Sequence, residues 1–219
     1  EIFEPAATQK HKLSMGGGNE KTNYFFSLSY TDQDGFIGGG DKRNYTRYAT
    51  RLNIESQATK WLTVGSRLSY AHLRTKGISQ NSVFGSVTNN AVVLDPTTPV
   101  YYDDTTGYRT VDYNKMRNVW GPSWYLNPGI QDENGYFAIS PTVQNEIQNP
   151  LMQLHNDRDQ NITNKFFGGA YADIEFFKGL NLRTTFDIDL AHNYGRGWNP
   201  RTYINTLATP DLRSRAWQQ

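Results

Sequence analysis

The chain has 219 residues, of which 37% are hydrophobic and 14% aromatic, and its formal net charge is +1. This charge balance gives no electrostatic support for a nucleic-acid-binding protein, which needs a basic surface for the phosphates. The chain contains no cysteine, which excludes disulfides and a thiol nucleophile, and no segment approaches the roughly 18 to 20 apolar residues of a transmembrane helix.

Alternation of apolar and polar residues predicts six β-strands in chain order, because successive side chains of a strand point to opposite faces. The predicted strands span residues 10–16, 22–31, 43–56, 61–73, 161–177 and 180–192. Short turns are expected at 17–21, 57–60 and 178–179. In the last strand, for example, Leu182, Phe186 and Ile188 alternate with Arg183, Asp187 and Asp189.

Residues 74–160 show no sustained alternation and contain six of the nine prolines. A segment of this length is far beyond the usual connection between strands and is expected to be functional or to have structure of its own. Within it, Ser79 to Val93 could form a short helix that ends at Asp95-Pro96. Residues 195–219 resemble the start of a second long loop.

The predicted strands have one apolar face with aromatic ends and one face that carries charges. This pattern is typical of an antiparallel transmembrane β-barrel with lipid outside and water inside. The charges expected inside are Arg47, Arg51, Glu55, Arg67, Arg183, Asp187 and Asp189. A soluble β-sandwich, with the apolar face on a core, is the alternative.

In outer-membrane barrels the short turns are periplasmic and the long loops extracellular. This rule predicts two girdles of interfacial aromatic residues. The periplasmic girdle would contain Trp61, Phe176 and Phe177, and the outer girdle Tyr30, Tyr70 and Tyr194.

The long loop is the candidate binding region, because it gathers aromatic residues among Asp, Asn and Arg. Aromatic rings stack on sugar rings, and Tyr and Trp also favour protein interfaces; alternatively these residues pack the loop on itself. The candidates are Tyr101, Tyr102, Tyr108, Arg109, Trp120, Trp124 and Tyr125.

The sequence gives no argument for catalysis, for a metal site or for a cofactor. The four histidines, His11, His72, His155 and His192, are isolated in sequence and lack zinc-ligand spacing. The glycine-rich segment 16–22 lacks the Gly that a phosphate-binding loop needs before Lys-Thr. Asp32-Gln33-Asp34-Gly35 begins like a calcium loop but lacks the later ligands. We therefore expect a protein that is not an enzyme.

Several segments carry a family resemblance. Gly16–Ile37 reads GGGNEKTNYFFSLSYTDQDGFI, Arg43–Ile54 reads RNYTRYATRLNI, Thr59–Gly65 reads TKWLTVG and Phe177–Thr184 reads FKGLNLRT. Together they resemble the first part of the barrel in the SusC/RagA family of TonB-dependent outer-membrane transporters, where the first motif follows the plug domain. The loop 74–160 is matched only loosely.

The resemblance implies that residues 1–219 are part of a larger barrel, of 22 strands with a plugged lumen, because six strands cannot close and would expose bare edges to lipid. It implies import of a large nutrient, a glycan or an oligopeptide, across the bacterial outer membrane. The implied partners are a SusD-like surface lipoprotein that closes the barrel as a lid, and TonB, which acts on the plug. The alternative function is a soluble or surface-attached carbohydrate-binding β-module that uses the aromatic loop.

Overall fold

The main feature of the fold is a large antiparallel β-sheet with a small helical cap at one end. A computed structural model describes residues 2–78, 86–101, 131–138, 147–199 and 213–218. Seven strands form the sheet in the order β1-β2-β3-β4-β7-β8-β9. Their bounds are β1 Thr8–Gly18, β2 Thr22–Asp34, β3 Asn44–Gln57, β4 Leu62–Gly77, β7 Asp159–Phe177, β8 Leu180–Asn199 and β9 Arg213–Gln218.

The predicted all-β, antiparallel fold class is confirmed, and each of the six predicted strands overlaps a strand of the sheet. The interpretation of residues 195–219 as a loop is wrong in two places. Strand β8 continues to Asn199, and Arg213–Gln218 forms the seventh strand, which pairs with residues 194–199 of β8. Residues 213–218 show no clear alternation. They adopt a strand conformation because they pair with the otherwise unpaired edge of β8.

Three tight connections define one end of the sheet, which we call the turn end. Between β1 and β2, the Asn19 side chain accepts hydrogen bonds from the backbone amides of Lys21 and Thr22, at 2.9 and 2.8 Å. Between β7 and β8, Gly179 has a φ of 97°, a conformation that glycine adopts without a steric penalty. Both connections lie where the sequence predicted turns.

The opposite end, which we call the loop end, carries three short helices among the described residues. Helix α1 spans Gly39–Lys42, α2 spans Val87–Val93 and α3 spans Pro150–Asn156. The helix predicted over 79–93 is observed only from Val87, with Ser86 as its N-cap; residues 79–85 lie outside the described residues. Helix α3 was not predicted, although its Asn149 cap followed by Pro150 is a recognisable start signal.

The helical cap contains a buried apolar cluster. Ile37, Val87 and Leu154 are at most 4% exposed and pack against Ile2, Ile78 and Leu151. These residues come from the chain start, the β2–β3 connection, the residue after β4, α2 and α3. Two minor strands, β5 (Gln131–Asp132) and β6 (Gly135–Tyr136), form a separate hairpin near this region of the sequence.

Among the described residues, no apolar core covers the sheet, whereas the β-sandwich alternative requires one. Large apolar side chains along it remain open, for example Leu13 at 63% and Phe186 at 67% exposure. Within the described residues no second sheet covers them. None of the described helices is long and apolar enough to cross a bilayer.

Candidate functional site

The strand register divides the sheet into an apolar face and a polar face, because directly paired residues of neighbouring strands point to the same side. A central row of the apolar face runs across six strands and consists of Met15, Phe26, Leu52, Leu68, Gly168 and Ile188. The next row towards the loop end consists of Leu13, Leu28, Thr50, Tyr70, Phe166 and Leu190. This face matches the lipid-facing band of a membrane barrel.

One row further towards the loop end, the aliphatic side chains give way to an aromatic and polar row, which we call the Tyr–His row. It consists of His11, Tyr30, Tyr48, His72, Asn164 and His192. The Tyr30 and Tyr48 ring centroids are 5.0 Å apart, and the His72 Nδ1 lies 2.8 Å from the Asn164 Oδ1. Side chains with an apolar body and a polar tip suit a membrane–water interface.

This row was not predicted from the sequence, because neighbouring members of the row are 18 to more than 90 residues apart along the chain. Three of the four histidines that the sequence analysis treated as isolated lie in this one row. They are brought together by the successive pairing of β1, β2, β3, β4, β7 and β8. Alternation within each strand was the only signal that could have suggested it.

The predicted girdle residues lie near both ends of the apolar face. Tyr70 lies one row below the Tyr–His row, and Tyr194 one row above it. At the turn end, Phe177 pairs with Leu180 beside a β-bulge. Trp61 immediately precedes β4 and accepts a backbone hydrogen bond from Glu175 at 2.8 Å. Phe176 lies within the bulge and is 60% exposed.

The polar face carries the charged residues that the sequence placed inside a barrel. Its best-defined contacts surround Tyr171, whose hydroxyl donates a hydrogen bond to the Glu55 carboxylate. The Arg183 guanidinium lies 4.3 Å from the centre of the Tyr171 ring, and that of Arg67 lies 5.7 Å away. Arg183 also pairs with Asp173 at 3.6 Å. These contacts join β3, β4, β7 and β8 on one surface.

Gly65 makes this arrangement possible. The Tyr171 ring crosses the strand at Gly65, and a Cβ there would stand 2.6 Å from the Tyr171 Oη, with ring carbons closer still. The close approach of the Tyr171 ring to the neighbouring strand therefore requires a glycine at position 65.

Of the seven candidate loop residues, only Tyr101 lies within the described residues. Its hydroxyl donates to the Asp132 carboxylate at 2.7 Å, and its ring stacks on Phe137 with centroids 5.2 Å apart. Burial, and then the Asp132 hydrogen bond, raise the pKa of the Tyr101 hydroxyl. Tyr101 is thus engaged within the loop. Six candidates lie outside the described residues: Tyr102, Tyr108, Arg109, Trp120, Trp124 and Tyr125.

Asn149 joins the parts of the loop that the structure describes. It is 3% exposed, and its amide donates to the carbonyls of Val100 and Ala138 at 2.8 and 3.2 Å. Its Oδ1 accepts from the backbone amides of Leu151 and Met152, which caps α3. One side chain therefore fixes the start of α3 to two other segments.

A polar cleft of about 820 Å³ lies at the loop end of the apolar face, above the Tyr–His row. Within it, the Asn44 amide donates to the carboxylates of Asp32 and Asp34 at 2.8 and 3.0 Å. The motif that began like a calcium loop therefore ties β2 to β3. The Lys42 ammonium donates to the His155 carbonyl at 3.2 Å, and burial, followed by the nearby Arg158, lowers the pKa of Lys42.

These surfaces define the class of protein: a transmembrane β-barrel segment with an apolar outer face, a charged inner face and structured loops at one end. No family model matches the chain. It is 26% identical over 183 residues to the TonB-dependent receptor SusC of Bacteroides thetaiotaomicron, covering 84% of this chain and 17% of that protein. It is 29% identical over 193 residues to the TonB-dependent receptor P39 of Formosa agariphila, covering 88% of this chain and 15% of that protein.

The fold agrees with the sequence comparison. The solved RagAB peptide transporter superposes with a TM-score of 0.61 at 24% identity, over 99% of this chain and 21% of that one. The RagAB peptide importer in the closed-closed state gives a TM-score of 0.60. The predicted resemblance to the SusC/RagA-type TonB-dependent receptors is confirmed. The chain spans about a sixth of the length of the curated relatives it matches.

Proposed function

We propose that this chain forms part of the barrel wall of a TonB-dependent importer in the bacterial outer membrane. The observation that carries the proposal is the two-faced sheet, whose apolar face is bounded by the Tyr–His row and whose other face is charged. The similarity to SusC and to other TonB-dependent receptors supports it.

In this proposal the apolar face contacts lipid and the polar face lines the lumen. The turn end lies in the periplasm, because short turns are periplasmic in outer-membrane barrels. The helical cap and the segment 78–158 then lie outside the cell. The Tyr–His row marks the outer interface of the membrane.

The imported nutrient is a large molecule, either a glycan or an oligopeptide. A SusD-like lipoprotein would close over the loop end as a lid, and TonB would supply the energy through a plug. Trp120, Trp124 and the other candidate loop residues would contact the lid, the nutrient or both. Tyr101, by contrast, would shape the loop, since its hydroxyl and ring already have partners within it.

The first test uses the intact receptor in its native cells. We expect it in the outer-membrane fraction, extractable only with detergent, and we expect uptake of its growth substrate to stop when a protonophore removes the inner-membrane proton gradient. Growth of a deletion strain on glycans or on peptides as the carbon source then identifies the nutrient class. Recovery in the soluble fraction would contradict the proposal and favour the carbohydrate-binding module.

A second test addresses the loop. The double substitution Trp120→Ala and Trp124→Ala should weaken lid binding or nutrient uptake, whereas Trp120→Phe and Trp124→Phe should retain most of both because an aromatic ring remains. Unchanged lid affinity and uptake in the alanine variant would contradict the role given to these residues.

A further inference from the structure

The polar face has an uneven distribution of charge along the strands. Two adjacent rows near the loop end contain basic residues without any acidic residue. The first row consists of Lys10, Thr31, Arg47, Leu73, Thr163 and Asn193, and the second of Lys12, Ser29, Ala49, Ala71, Lys165 and Ala191. We call their four basic residues, Lys10, Lys12, Arg47 and Lys165, the basic belt.

Asp159 lies on this face two rows further towards the loop end than the first belt row, and the other acidic residues of the face lie nearer the turn end. Asp189 and Asp187 occupy the next two rows, in each case together with an arginine. Further on, Glu55 bonds to Tyr171, and Asp173 pairs with Arg183. Opposite charges are therefore combined in the lower rows and not in the basic belt.

The belt side chains are exposed, and among the described residues none has an ion-pair partner. Strand and row spacings of about 4.8 and 7 Å place the four residues on an arc about 20 Å wide. Like charges this close repel one another in the absence of an anion, because separations of this size are comparable to the screening length of about 8 to 10 Å. An arc of one sign on a concave wall attracts ligands of the opposite sign.

We propose that the basic belt is an anion-recognition site just inside the outer mouth, and that the imported nutrient is an oligomer bearing repeated carboxylate groups. The two rows contain no aromatic side chain, so recognition there depends on charge and hydrogen bonding and not on ring stacking. This inference rests on the proposed function, which supplies the lumen.

The experiment measures binding of fluorescent oligomers to the purified intact receptor at low and at high salt. Two arms distinguish the source of the carboxylates: a glutamate oligomer against a glutamine oligomer, and a galacturonate oligomer against a maltose-type oligomer of equal length. The variant is Lys10→Gln, Lys12→Gln and Lys165→Gln. The matched control is Lys21→Gln, Lys60→Gln and Lys178→Gln, which removes the same three charges from the turn end.

We expect one acidic oligomer to bind more tightly than its neutral counterpart, with an affinity that falls as salt increases. The belt variant should lose about tenfold in affinity for it, while the turn-end control retains wild-type affinity. Equal binding of acidic and neutral oligomers, or equal losses in the two variants, would overturn the inference.

Uptake of the growth substrate with and without a protonophore is measured on the same wild-type receptor. Energy-dependent uptake combined with charge-insensitive binding overturns the basic-belt inference alone. Uptake that does not depend on energy overturns the proposed function and this inference with it.

Discussion

Substitution of Gly65 by alanine tests whether the Tyr171 cluster stabilises the barrel wall. The new methyl group would overlap the Tyr171 ring, so the ring must leave its position and lose the Glu55 hydrogen bond and both arginine contacts. Rotation of the Tyr171 side chain away from the sheet would relieve this overlap. We therefore expect Gly65→Ala to lower the free energy of unfolding.

The magnitude follows from the contacts that are lost. A hydrogen bond to a charged group contributes about 1.5 kcal/mol at the lower end of its range, which suits this partly exposed site. Each exposed cation–π contact contributes about 0.5 to 1 kcal/mol. Alanine returns about 0.5 to 1 kcal/mol because it restricts the unfolded chain more than glycine does. The net loss is about 1.5 to 3 kcal/mol.

The assay is denaturant unfolding of the intact receptor in lipid vesicles, followed by tryptophan fluorescence and by gel mobility. Gly77→Ala is the matched control in the same strand, because a Cβ at Gly77 meets nothing within 4 Å, and it should be neutral or slightly stabilising. In a Tyr171→Ala background, Gly65→Ala should no longer destabilise. If Gly65→Ala lowers the free energy of unfolding equally in the Tyr171→Ala background and in the wild type, the loss does not act through Tyr171 and the reasoning is refuted.

Three further substitutions test the faces, the loop and the Tyr–His row. Leu52→Arg should lower the stability of the folded barrel by about 2 to 4 kcal/mol because it places a charge in the middle of the lipid-facing band. Asn53→Arg on the polar face should lower it little. The amount of folded receptor in outer membranes measures both effects. Asn149→Ala removes the Asn149 partner of the buried Ala138 carbonyl and of the Leu151 and Met152 amides, at about 1 to 3 kcal/mol. It should speed protease cleavage of the loop, while Asn134→Ala at an exposed position should not. Tyr48→Ala should lower the free energy of unfolding by about 0.5 to 1.5 kcal/mol because an aromatic pair is lost. Tyr48→Trp keeps an aromatic ring and should retain the wild-type free energy of unfolding.

Equal losses for Leu52→Arg and Asn53→Arg would mean that the two faces have been assigned wrongly. Equal cleavage rates for the two asparagine variants would show that Asn149 does not hold the loop segments together. A neutral Tyr48→Ala would remove the argument that the Tyr–His row stabilises the interface.

The strands and their faces were predictable from the sequence because alternation is a local property. The segment from Leu180 to Leu190 shows its two faces without any knowledge of its neighbours. The turn residues are also local, as the Asn19 side chain shows by capping its own hairpin. The tight connection at Gly179 was likewise evident from its composition.

Other features could not be predicted, because they depend on which strands pair and in what register. Strand β9 has no clear alternation, and its position beside β8 follows from the pairing. Helix α3 has a recognisable start signal in Asn149 and Pro150, but its place in the loop depends on contacts with distant segments. Its first turn is stabilised by Asn149, whose other partners, Val100 and Ala138, lie 11 or more positions away.

The sequence by itself determined a two-faced, antiparallel sheet and the family that it resembles, since both are written in periodicity and short motifs. Only the tertiary structure decided which side chains meet. His11 and His192 share a row, Tyr171 covers Gly65, and the basic belt joins residues from three strands. The physical reason is that a one-residue change in register would move every side chain of a strand to the opposite face, and that register is a property of pairs of strands and not of any one of them.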